Sequence, residues 1–109
     1  TIVPVLNRPG TDPVQHLYQV LIDFPAFDTT RATVMDALQA DGIGTQVHYI
    51  PVHSQPYYRA RYGDINLPGA EAFYRRCLSL PFYPALTGDD AERVVEALKR
   101  ATGKGEEQC

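Results

Sequence analysis

Proline breaks this sequence at almost every point where its hydrophobic pattern changes. Pro25, Pro51, Pro56, Pro68 and Pro81 each lack a backbone donor and fix φ, so neither a helix interior nor a central strand runs comfortably through them. The fold must therefore be assembled from short elements. Residues 16–24, HLYQVLIDF, are too apolar for a simple surface strand and predict a central strand that Pro25 ends. Upstream, Pro4, Pro13 and the Pro9-Gly10 pair make residues 1–14 read as an extended lead-in or turn and not as a packed element.

Between the prolines the helix signals are local and specific. Asp28, Thr29 and Thr30 offer N-caps for a helix to about Ala40, with Val34, Met35 and Leu38 along one side and Gly42 as the stop. Residues 43–49 predict a second strand, followed by a turn through Pro51 and Pro56 and a short helix over 57–62, which Ser54 is placed to cap. Pro68 suits the first position of another helix, in which Ala70, Phe73, Tyr74 and Cys77 recur at the spacing of a buried stripe. A third strand is expected at 78–80. Thr87 and Asp90 form a Thr-x-x-Asp start signal for a last helix with Ala91, Val94, Val95 and Leu98 inward. Its wet side is Glu92, Arg93, Glu96 and Arg100, with Glu96 and Arg100 spaced to pair weakly. This order predicts an α+β domain: a small, mostly antiparallel sheet covered by helices.

Composition narrows the function classes. The 109 residues suffice for one core. Ten Lys plus Arg against thirteen Asp plus Glu give a formal charge of -3, so no basic field is available for nucleic acid beyond the local group Arg59, Arg61, Arg75 and Arg76. No apolar run approaches the roughly 20 residues of a membrane span, and TIVPVLNRPG lacks a secretory pattern, so a cytoplasmic setting is expected. Cys77 in an amphipathic pattern and Cys109 in a polar tail predict two free thiols, neither at a metal-ligand spacing. Lysine occurs only at Lys99 and Lys104.

The chemistry-bearing residues gather in 42–58, GIGTQVHYIPVHSQPYY. His48, Tyr49, His53, Tyr57 and Tyr58 place five polar-tipped rings at a predicted strand exit, where ligand-facing side chains are commonly held. His48 and His53 have no neighbouring Cys, Asp or Glu set to complete a metal site. Ser54 beside His53 lacks an acidic orienter for a triad. The residues alone leave two readings of the tyrosines open: core filling, or a pocket rim that with Arg59 suits a sugar hydroxyl or phosphate.

The blocks HLY, DGIGTQVHYIPVHSQPYYR and LPGAEAFYRRCLSLPFYPALTGDDAERVVEAL occur in one order over residues 16–101. In them the chain resembles the C-terminal domain of the DegT/StrS-type family of pyridoxal-phosphate-dependent nucleotide-sugar aminotransferases. Within that family, VHYIPVH is most similar to transaminases of pseudaminic acid biosynthesis, which act on UDP-4-keto-6-deoxy amino sugars. The resemblance implies a small domain of a fold-type I aminotransferase at 16–102, a lead-in at 1–15 from a large domain outside this sequence, and a polar tail at 103–109. It implies that pyridoxal phosphate, its Schiff-base lysine and its phosphate cup belong to that large domain of the same parent chain, with no cofactor on this fragment. The parent is expected to be a homodimer acting on a UDP-sugar with glutamate as amino donor. His48, Tyr49, Pro51 and His53 are the expected substrate-mouth residues, orienting substrate without transferring protons, and the fragment alone is expected to be inactive. A structural or dimerisation domain and a stand-alone sugar-nucleotide-binding module are the alternative readings.

Overall fold

The computed structural model describes residues 1–103; the expected polar tail therefore lies, from residue 104 onward, outside the described residues. Three strands, β1 (Ile2–Pro4), β2 (Tyr18–Ile22) and β3 (Cys77–Leu80), form one antiparallel sheet in that order. Its register pairs Ile2 with Ile22 and Pro4 with Val20, then Val20 with Leu78 and Tyr18 with Leu80. Four helices accompany it: α1 (Arg31–Ala40), α2 (Pro56–Tyr62), α3 (Pro68–Arg76) and α4 (Gly88–Ala101). The expected α+β architecture is present.

Two strand expectations need correction. The lead-in carries an edge strand, β1, whose Ile2 packs against the core, and an edge position is where a strand tolerates Pro4. Residues 43–49 do not form a strand. Their backbone pairs with the sheet through one bridge, in which Gln46 and Ser79 exchange backbone hydrogen bonds of 3.2 and 2.8 Å. A propensity pattern sees only the segment, whereas a ladder needs a partner that stays alongside for several residues.

The core lies where β2 and β3 meet α1 and α4. Val20 and Ile22 alternate inward from β2, Leu78 comes from β3, and Val34 and Leu38 sit one turn apart on α1. On α4 the buried residues are Val94, Ala97 and Leu98, while Val95 is 47% exposed. Of the expected Ala91, Val94, Val95 and Leu98 stripe, Val94 and Leu98 are buried, whereas Ala91 and Val95 are exposed: both sides fit a helical period, and α4, packed against α1, buries the smaller Ala97 in their place. Arg100 likewise pairs with Asp41 at 3.3 Å, and Glu96 with Lys99 at 3.8 Å, in place of the expected Glu96–Arg100 pair. On α3 no residue is buried; Ala70 is exposed, Phe73 and Tyr74 are half-buried, and the buried Cys77 already belongs to β3.

The helix ends follow their sequence signals closely. Thr30 caps α1 by accepting from the Thr33 N–H at 3.2 Å. At the other end Gly42 N–H donates to the Gln39 carbonyl at 2.9 Å and Ile43 N–H to the Leu38 carbonyl at 2.8 Å, the paired bonds of a Schellman stop. That geometry gives Gly42 a φ of 78°, which disfavours any residue with a Cβ. Thr87 and Asp90 exchange two 3.1 Å bonds at the start of α4, completing a reciprocal cap. The backbone and hydroxyl bonds from Thr87 hold the Asp90 carboxyl below its ordinary range.

Candidate functional site

The four residues expected at a substrate mouth lie in the connector between the Gln46–Ser79 bridge and α2, and the structure divides them into two pairs. His48 sits beside the sheet: its Nδ1 is 2.8 Å from Ser79 Oγ, and its backbone carbonyl accepts from Gln19 Nε2 at 3.3 Å. These contacts tie the half-buried ring to β3 and its backbone to β2. Tyr49 meets the His48 ring edge-on, with centroids 4.7 Å apart and planes at 88°, yet remains 71% exposed. A fixed imidazole thus supports an aromatic ring presented to solvent.

Pro51 and His53 form the second pair, Pro51 at the N-cap of a 3-10 turn over Val52–Ser54 and His53 within it. The His53 side chain is 8% exposed, and its Nε2 lies 3.4 Å from Glu71 Oε1 on α3. Together they border an apolar cavity of about 420 Å³, completed by Val52, Tyr58, Tyr62, Ile65, Leu67 and Ala70. His48 and Tyr49 are not among its walls. Ser54 lies within the turn instead of capping α2; Gln55 occupies the cap position without a side-chain cap bond. Pro56 opens the helix, and its missing N–H reduces the number of donors a cap must satisfy.

Ser79, Glu71 and Gln19 are the supporting neighbours of the connector that sequence reading missed. They lie 31, 18 and 29 residues from the groups they bind, beyond the reach of any local motif. The tyrosines of α2 do not fill the core. Tyr58 and Tyr62 stack at 6.4 Å with planes 9° apart, and both remain exposed. Arg59 is engaged by Asp64 at 3.3 Å, while Arg61 Nε donates to Tyr62 Oη at 3.1 Å. Arg75 and Arg76 instead border a separate cavity of about 640 Å³ with Asp23 and Arg31, so the arginines named from the sequence serve two different surfaces.

Other reactive groups have structural surroundings. Burial pushes the Cys77 thiol above its ordinary value, against the opposing pull of Arg31 and a backbone hydrogen bond. Lys99 Nζ is committed to the Glu96 carboxylate on the outer side of α4. Among the described residues no group of three His, Cys, Asp or Glu side chains converges as a metal site, and no helix is long and apolar enough to cross a membrane.

The small α+β fold, a three-stranded antiparallel sheet with four helices, is shared with solved sugar aminotransferases, and the sequence agrees. The chain belongs to the DegT/DnrJ/EryC1/StrS aminotransferase family, whose profile matches residues 1–99. It is 41% identical over 101 residues to the spore coat polysaccharide biosynthesis protein SpsC of Bacillus subtilis, covering 90% of this chain and 26% of SpsC. Among solved structures it superimposes on DesI, determined in the presence of its TDP-sugar product, with a TM-score of 0.71 and 32% identity over 84% of this chain and 24% of DesI. Helicobacter pylori PseC, an aminotransferase of pseudaminic acid biosynthesis, gives a TM-score of 0.73 and 25% identity over 80% of this chain and 23% of PseC. The chain therefore spans about a quarter of the length of these relatives.

Proposed function

We propose that this chain is the C-terminal small domain of a pyridoxal-phosphate-dependent aminotransferase that acts on a nucleotide-linked keto sugar, and that its His48–His53 connector forms one wall of the substrate mouth. In this reading residues 1–15 lead in from the large domain and lend β1 to the small domain's sheet, and residues 16–102 make the rest of the small domain. The single observation that carries it is the family match across residues 1–99, coupled with a connector whose two histidines are fixed by Ser79 and Glu71. The polysaccharide role in the name of SpsC, the TDP-sugar product of DesI and the pathway of PseC support a nucleotide-sugar substrate. The VHYIPVH resemblance to pseudaminic acid transaminases, with PseC among the structural neighbours, is what favours a UDP-4-keto-6-deoxy amino sugar in this reading, with glutamate as donor and a cytoplasmic homodimer as the working assembly.

The described residues do not fit a resident pyridoxal phosphate. Their one lysine, Lys99, points its ammonium to Glu96 on a solvated helix, without the desolvated or cation-flanked setting that activates an amine. The cofactor, which supplies the electron sink for amino transfer, belongs in this reading to the large domain. The work of these residues is positional. Ser79 fixes the His48 ring, the ring supports Tyr49, and Tyr49 offers its face and hydroxyl to the sugar nucleotide. Pro51 limits the turn and His53 anchors it to α3, so the wall is presented with little left to order on binding.

The test is steady-state kinetics on the parent enzyme. Tyr49→Ala is expected to lower kcat/KM for the nucleotide sugar by roughly 10-fold or more, the loss of about one good contact, with the bound-cofactor absorbance unchanged. Unaltered kinetics would remove Tyr49 from the mouth. If the 109-residue chain alone bound pyridoxal phosphate stoichiometrically and lost it on Lys99→Ala, the fragment reading would be wrong. Saturable UDP-sugar binding by the isolated chain, weakened by replacing His48 and Tyr49, would instead identify a self-sufficient binding module. No binding together with self-association would indicate a dimerisation domain.

A further inference from the structure

Every residue from 56 to 70 is exposed, although this stretch contains helix α2 and the start of α3. Helix α2 has seven residues and buries none of them. Isolated helices this short are not self-supporting in water and ordinarily depend on burial of an apolar face. Here the apolar groups are present but uncovered: Val52 is 66% exposed and Tyr62 60%, with Tyr58, Ile65 and Leu67 also exposed around the same cavity. A contiguous apolar surface of this kind on a soluble protein marks a contact surface.

The local interactions show that the arm is already shaped before anything covers it. His53 ties its base to Glu71, Gln55 Nε2 donates to the Ile50 carbonyl at 3.1 Å, and Tyr58 stacks on Tyr62. Its charges are also answered internally, Arg59 by Asp64 and Arg61 by the Tyr62 ring and hydroxyl. What remains to be matched is apolar area, so the complementary surface is itself apolar and weakly charged.

We propose that the arm over residues 52–67 is a docking surface occupied by the larger part of the parent polypeptide. The inference rests on the fragment reading above. The length outside the structure selects this occupant: about three-quarters of a relative such as SpsC has no counterpart here, since the chain covers 26% of it. A covalently attached partner is also present at high effective concentration, so a modest apolar contact suffices. The arm begins at Pro51 and His53, so docking it fixes the substrate-mouth connector from its far end, while Ser79 fixes the near one.

Hydrogen exchange followed by mass spectrometry on the full parent and on the 109-residue chain tests the proposal. Amides of residues 56–67 are expected to exchange at least about 10-fold more slowly in the parent, as they would in a segment that opens only when a docked surface separates. In the parent, Tyr58→Ser with Tyr62→Ser is expected to return most of that difference while leaving β2 and β3 unchanged. Equal exchange of residues 56–67 in parent and chain overturns the docking proposal and leaves the fragment reading intact. Intact mass of the native gene product distinguishes the other failure: a product no longer than this chain removes the larger part itself. Protection that instead rises with concentration of the isolated chain, alongside a sedimenting dimer, overturns the proposal in favour of a second copy as occupant.

Discussion

The sheet-and-helix core and the α2 arm are built from comparably apolar sequence, yet one is closed and the other open. Val34 and Leu38 on α1 disappear beneath β2, β3 and α4, whereas Tyr58 and Tyr62 on α2 use the same one-turn spacing to stack in solvent. Periodicity is identical in the two helices. What differs is the presence of a second surface opposite the stripe. The core has its partner within the 109 residues, and in our reading the arm has its partner in the missing part of the parent.

This contrast predicts a steep gradient in the cost of substitution. Leu38 has no exposed surface, so Leu38→Ala leaves a cavity and is expected to cost about 2–5 kcal/mol in urea unfolding of the isolated chain; a change no larger than that of a surface substitution would break the comparison. Gly42→Ala comes next, at about 1–2 kcal/mol. The new Cβ must adopt a φ of 78° and would sit 3.3 Å from Arg93 Nη2; a neutral result by thermal unfolding would mean that the α1 stop relaxes around it. The smallest effect is expected for Tyr62→Ala, within about 0.5 kcal/mol in the isolated chain. If it matched Leu38→Ala, the arm would already be part of the core.

The comparison also shows how far each signal reached. The α1 cap was legible as one of Asp28, Thr29 and Thr30, of which the structure uses Thr30, and the stop at Gly42, the Pro68 start of α3 and the Thr87–Asp90 cap were legible outright, because each signal acts within about one turn. The connector residues were legible only as sequence neighbours: the structure divides His48, Tyr49, Pro51 and His53 into two pairs with different supports. Those supports were not legible. Ser79 and Glu71 reach them only after α3 and β3 have folded back, and nothing local distinguishes that serine or glutamate from any other. The same limit misplaced a strand at 43–49, where hydrophobic propensity was adequate but the pairing amounted to one bridge. It also favoured Val95 over Ala97 on α4, since apolarity alone does not say which side of a helix has a neighbour.

By itself, the sequence determined the stop of α1, the starts of α3 and α4, the division into short elements and the family to which they belong, because prolines, caps and contiguous motifs act over a few residues. Only the tertiary structure decided which apolar faces close. It also decided that β1 joins the sheet, that Ser79 and Glu71 hold the two histidines, and that residues 56–70 stand uncovered. Burial and strand pairing depend on surfaces brought together from distant parts of a chain, and their outcome is set when those surfaces meet.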